Sequence, residues 1–197
     1  MRSVHKISLM ALVLLGSLVG LSTRAQAATI VLNFEDLTGN GPMPDPYHGI
    51  INWEDGVWFY YDSSQPPYTP HSGVTRTYQS GDPTPSWTFV TPVVFDGAWW
   101  SGQDSATAQY NLYDVTNTLV HTSGIVTGSI VPTFLSSGYS GLVSRVEVLT
   151  PEADQIVMDD LTYQSSVSAV PEPTSLLLLG TGLVGGVRRW RKSRMNS

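Results

Sequence analysis

The residues of this chain with the most chemistry to offer are carboxylates and aromatic rings. Two acidic pairs bracket the middle of the sequence: Glu35-Asp36 within Val31-Leu-Asn-Phe34-Glu35-Asp36-Leu37, and Asp159-Asp160 within Ile156-Val-Met-Asp159-Asp160-Leu-Thr-Tyr163. If the first and last strands pair, these four carboxylates converge. Their hard oxygens suit a divalent cation. Side chains alternate along a strand, so a regular strand sends one member of each pair to each face unless a bulge intervenes. Glu35 and Asp159 are therefore the preferred direct ligands. The competing reading is a set of solvated strand ends.

The second feature is an aromatic load: Trp53, Trp58, Tyr60, Tyr61, Tyr68, Trp99 and Trp100. Flat rings stack on the apolar face of a pyranose, while neighbouring Asp or Asn binds its hydroxyls. Trp53, Trp58, Tyr61, Trp99 and Trp100 are the sugar-binding candidates, although aromatic rings also fill sandwich cores. Trp99 and Trp100 are adjacent, so on a strand one points inward and the other outward. The outward ring is the better ligand candidate.

Signals for catalysis are sparse. The chain has no cysteine, which removes a thiol nucleophile. His48, His71 and His121 stand apart from one another, and neither His-Glu-x-x-His nor Gly-x-Ser-x-Gly occurs. Gly138-Tyr-Ser-Gly141 is one residue short of the esterase elbow. A carboxylate pair for glycoside hydrolysis fits so acidic a chain, but nothing singles one out. A non-enzyme is expected, with a secreted glycan-active enzyme as the alternative.

Charge separates the chain into three parts. Its 197 residues carry a formal charge of −6, with ten Lys or Arg against sixteen Asp or Glu. Only Arg76 and Arg145 fall in the middle, against fifteen of the acids, which gives that part −13. Such a domain has no basic footprint for nucleic acid. With no cysteine, its stability rests on a core, and about 140 residues are enough to bury one.

Residues 1–27 read as a secretory signal. Arg2, His5 and Lys6 precede an apolar run from Ile7 to Leu21, and Ala25-Gln26-Ala27 supplies an A-x-A cleavage site. Residues 166–197 form a linker and a tripartite tail. Val170-Pro171-Glu172-Pro173-Thr174-Ser175 leads into an apolar segment, a predicted helix over 174–187, and then a basic end over 188–194. The two prolines hold an extended stretch that a processing enzyme can grip. The apolar segment is short for a relaxed span of about 20 residues. Trp190 and the arginines are therefore placed at the interface, with the basic end in the cytoplasm.

On Pro171, Glu172, Pro173, the apolar Leu176 to Val187, and Arg188 with Arg189, this tail resembles the PEP-CTERM sorting signal. The resemblance implies processing by an exosortase and a Gram-negative host that makes exopolysaccharide. It also implies export across the inner membrane, a transient anchor there through the C-terminal helix, and then the cell surface or extracellular matrix. The function expected is structural or adhesive, in biofilm-type exopolysaccharide.

Between the ends, from 28 to 165, the pattern is all-β. Runs rich in Val, Ile, Phe, Tyr, Trp and Thr alternate with Gly, Pro, Asn and Asp. Predicted strands are Thr29–Phe34, Gly56–Tyr61, Ser86–Val90, Val93–Trp99, Ala106–Tyr113, Leu119–Val126, Val143–Leu149 and Ile156–Tyr163. Thr38 to Gly49 and Asp62 to Pro85 read as long loops. Many short strands without helices point to a two-sheet, jelly-roll-like sandwich. With Phe34-Glu35-Asp36 at the front and Asp159-Asp160 at the back, this domain is similar to jelly-roll domains of carbohydrate-binding modules and adhesion receptors. That resemblance implies side-by-side first and last strands whose carboxylates share a structural calcium.

Overall fold

The protein was studied as a computed structural model that describes residues 28–165. Ala25 and Ala27 of the expected signal peptide lie outside the described residues, as do Pro171, Glu172, Pro173, Arg188 and Arg189 of the tail and the predicted transmembrane helix.

Eleven strands and no helix make up the described residues. In chain order they are β1 (Thr29–Leu32), β2 (Asn40–Pro42), β3 (Ile51–Trp53), β4 (Trp58–Tyr61), β5 (Arg76–Gln79) and β6 (Ser86–Gly102). They continue with β7 (Thr107–Tyr113), β8 (Leu119–Thr127), β9 (Thr133–Ser136), β10 (Val143–Leu149) and β11 (Ile156–Ser165). The all-β expectation holds. Hydrogen bonding runs continuously along β2-β4-β5-β11-β6-β10-β7-β8, with β1 on β11 and with β3 and β9 on β6, so the pairing by itself does not divide the strands into two sheets. Every pairing is antiparallel.

The continuity comes from β6. Two predicted strands, Ser86–Val90 and Val93–Trp99, are one strand of 17 residues that changes partners along its length. Its first part pairs with β3 and β10, as in Phe89 with Ile51 and Ser86 with Glu147. Its second part pairs with β11 and β9, as in Trp100 with Met158 and Thr133. Pro92, which has no N–H for a ladder, sits at this exchange of partners.

Alternation along β6 and β7 sends one face inward, and the rings on that face build the core. Trp53, Trp58 and Trp87 meet with centroids 5.1 to 5.7 Å apart. Trp87 continues edge-on to Phe95, and Phe95 to Tyr110. Burying each such ring is worth roughly 1.5–3 kcal/mol. The first and last strands do lie side by side, with Val31 opposite Thr162 and Leu32 opposite Leu161. That places the acidic pairs within reach of one another.

Candidate functional site

Three of the four carboxylates converge, and what they hold is a loop. Glu35 follows β1 in a turn after Phe34, whose φ of 60° is unusual for so bulky a residue. Its Oε1 accepts from the backbone N–H groups of Val74, at 3.0 Å, and Thr75, at 2.8 Å. Asp159 Oδ2 accepts from Ser72 N at 2.8 Å. Asp160 accepts from Ser72 Oγ at 2.9 Å, and its Oδ2 stands 2.6 Å from His71 Nδ1. The acids of the first and last strands thus clasp His71 to Thr75. Gly73, with φ of 54°, is required there, since a Cβ would collide with the Glu35 carboxylate.

A bulge makes this possible. The register of β11 shifts between Asp159 and Thr162, and Asp160 has a φ of 47°. The adjacent carboxylates therefore reach one loop instead of opposite faces. Asp36 does not join them. It accepts from the Tyr47 hydroxyl and pairs with His48 Nε2 at 2.9 Å, and the Tyr47 bond holds its carboxyl below the ordinary aspartate value. Burial raises Asp159 to about 7, and the Asp160 charge adds to the rise while the bond from Ser72 opposes it.

A calcium ion wants six to eight oxygens. Here the oxygens of Asp159 and Asp160 already face N–H, O–H or imidazole partners. Among the described residues, no group of three or more His, Asp or Glu side chains is placed to hold one ion. As arranged, Glu35, Asp36, Asp159 and Asp160 fit hydrogen-bond acceptance better than a calcium cage. Calcium is accordingly expected to leave the melting midpoint where chelator leaves it. A rise of several degrees with calcium would show the metal bound.

The sugar-binding candidates separate sharply. Trp53, Trp58 and Trp100 are core side chains, and no ligand reaches their faces. Their rings alternate into the packed side of β3, β4 and β6. Trp99 points outward, as the alternation with Trp100 requires, but it is not bare. The His71 ring lies flat on it, 3.6 Å away at 9°, and Phe134 packs edge-on at 5.5 Å. Tyr61 is the candidate that opens onto a cleft.

That cleft, of about 440 Å³, follows from strand register. Asn40, Tyr61 and Arg76 stand opposite one another across β2, β4 and β5. Two residues beyond Arg76, Tyr78 occupies the same face and is paired with Val157 of β11. Gln65, Tyr68 and Asp154 come from connecting segments and complete the wall. Tyr78 stacks on Phe59 at 5.6 Å, which fixes its ring. The Arg76 guanidinium lies 4.9 Å from the centre of the Tyr61 ring. Rings, amides, a carboxylate and a guanidinium therefore share one concavity.

Asn40, Arg76 and Tyr78 are not among the sequence-derived candidates, because they lie in stretches read as loops. The available signal was the period of two in Thr75-Arg-Thr-Tyr-Gln79, which puts Arg76 and Tyr78 on one face.

Residues 169–192 match the protein-family model described as the PEP-CTERM protein-sorting motif. The chain carries that motif, which marks it as an exosortase-sorted surface protein. No curated protein matches the chain. Among solved structures it is similar to the carbohydrate-binding module TmCBM61, determined in complex with β-1,4-galactotriose. The identity is 11%, the TM-score 0.30, and the match covers 58% of this chain and 82% of that one.

Proposed function

We infer that this protein is exported, sorted through its C-terminal motif, and serves as a non-catalytic glycan-binding module in exopolysaccharide outside the cell. The observation that carries the binding role is the cleft, where the Tyr61, Tyr68 and Tyr78 side chains stand beside the hydrogen-bonding groups of Asn40, Gln65 and Asp154. Ring faces suit the apolar face of a pyranose, and the amides and carboxylate suit its hydroxyls. The address follows from the tail. An exosortase acts on the motif at the membrane, and the β-domain meets its polysaccharide outside. Catalysis is not part of this reading. Asp159, the carboxylate whose burial keeps a proton near neutrality, is engaged with Ser72 and Asp160, and it does not line the cleft.

The test is equilibrium binding of the full chain to a panel of polysaccharides, in a zwitterionic detergent without a sugar headgroup. Tyr61→Ala and Tyr78→Ala are each expected to weaken binding about tenfold, the effect of deleting an aromatic contact worth roughly 1.4 kcal/mol. Trp99→Ala is expected to change affinity by less than about twofold. Uniform failure to bind at millimolar sugar would sink the reading. Release of new reducing ends, abolished by removing one carboxylate, would replace it with the enzyme.

A further inference from the structure

Arg76 is the feature of the cleft that a neutral sugar does not account for. Only 1% of it is exposed, yet it forms no ion pair among the described residues. Its partners are uncharged: the carbonyls of Ser63 at 2.7 Å and Tyr61 at 3.4 Å, and Gln65 Oε1 at 3.2 Å. These bonds occupy three of the five N–H groups of a guanidinium. The other cation of this acidic domain, Arg145, is satisfied differently. It bonds Glu147 Oε2 at 3.3 Å and lies over the Tyr113 ring at 3.6 Å.

Asp62 acts on this charge only from beyond ion-pair distance, and its own oxygens accept from Gly39 N and Ser63 Oγ. A buried charge without a directly bonded counterion is costly, and an arginine meets that cost by finding an oxyanion. Its planar fork matches a carboxylate with two parallel hydrogen bonds. Bracing Ser63 and Gln65 requires donors and no formal charge. Among the described residues Nε–H and one Nη2–H have no partner, and Arg76 lines the cleft.

We propose that the cleft is selective for an acidic sugar, a uronic acid residue within a polysaccharide, whose carboxylate is held at the Arg76 guanidinium. This rests on the glycan-binding reading and names the class of glycan. Tyr61, whose ring faces the guanidinium, supplies the stacking surface beside the charge. Asp154, with Oδ1 already accepting from Gly81 N at 2.8 Å, is the acceptor for hydroxyl donors of the ring. The cleft is thus dipolar, with Tyr78 within the field of both Arg76 and Asp154. The domain's formal charge of −13 repels a polyanion at long range, but salt screens that repulsion beyond about 8 Å at physiological ionic strength. Selectivity is decided inside the cleft.

A matched pair of probes tests this with the unaltered full chain. Oligogalacturonate and its fully methyl-esterified form share one ring and differ in the charge; oligomannuronate and its ester form a second pair. The acid is expected to bind at least about tenfold tighter than its ester in one of the pairs, as a charged hydrogen bond implies. Arg76→Gln is expected to bring that acid-to-ester ratio to near one, whatever it does to the affinity for the ester itself. Because Arg76 also braces Ser63 and Gln65, the melting midpoint of the variant is measured alongside, and the ratio in the unaltered protein stands without it. Equal affinity for acid and ester overturns the proposal and leaves the glycan reading intact. Tighter binding of a sulfated galactan oligomer than of either uronate overturns the assignment to a carboxylate. Binding of none of these probes, nor of neutral glycans, overturns both readings.

Discussion

Replacing Trp100 with alanine is expected to cost this protein most of its stability, while the same change at Trp99 costs little. The two residues are neighbours on β6 and face opposite ways. Trp100 is 2% exposed, and its indole N–H donates to the Tyr110 hydroxyl at 2.6 Å. Tyr110 is itself fully buried against Phe95 and Trp87. Truncation would leave a cavity and strip a buried hydroxyl of its donor. The first effect is worth about 3–5 kcal/mol and the second about 1–3 kcal/mol. A domain of this kind has a total of roughly 5–15 kcal/mol. Trp99 loses its stacking on His71 and its edge contact with Phe134, both at the surface, for about 1–2 kcal/mol. Urea unfolding of the two variants decides the matter. A larger loss at Trp99 would mean that the two faces of β6 have been assigned the wrong way round.

That contrast shows how much of the fold local sequence carried. Where apolar residues alternate over several positions, as at Ala108, Tyr110 and Leu112 of β7, strand and inner face were both legible. Ser86–Gly102 was legible as strand but not as one strand, because Thr91-Pro92 looks like a terminator. It is a point of partner exchange instead, and partners are set by tertiary pairing. The strands β2, β3, β5 and β9 have only three or four residues each and lack a period long enough to register. In β5, Arg76, Thr77 and Gln79 are buried polar residues, and a hydrophobic pattern cannot report these.

The candidate site divides along the same line. Convergence of Glu35, Asp159 and Asp160 was legible because it requires only that the end strands pair. What they converge on was not. Their partners are largely backbone N–H groups of Ser72, Val74 and Thr75, which every residue except proline possesses. The cleft was legible through Tyr61 and Tyr68 alone. Its cation, Arg76, becomes conspicuous only once its burial without a direct ion pair is visible in three dimensions.

The clasp also predicts an inverted pH dependence. Asp159 has an ordinary carboxyl value of 3.8 when unfolded and about 7 when folded, chiefly because burial penalises its ionised form. Between those values the folded protein holds a proton that the unfolded chain has released. Stability therefore falls as pH rises from about 4 to about 7 and is level above that, as far as this group is concerned. The full shift corresponds to something on the order of 4 kcal/mol. Asp36, Asp114 and Glu147 act in the opposite sense. Hydrogen bonds from Tyr47 and Thr116 hold Asp36 and Asp114 low, and at Glu147 burial is outweighed by bonds from Asn111, Arg145 and Tyr113, so these groups stabilise above their ordinary values and lose that effect only in stronger acid. The melting midpoint is thus expected to peak near pH 4–5 and to decline toward pH 7. Asp159→Asn is expected to flatten the decline, even though its amide cannot accept from both Ser72 and Asp160 and so lowers the whole curve. The same titration with calcium separates proton from metal. A cation seated at Asp159 would replace the proton and remove the decline in the unaltered protein, whereas a hydrogen-bonded clasp keeps it in calcium and chelator alike. A midpoint that rises steadily from pH 5 to pH 8 would show that Asp159 is ionised in the folded protein and that its burial is offset by a charge the clasp does not contain.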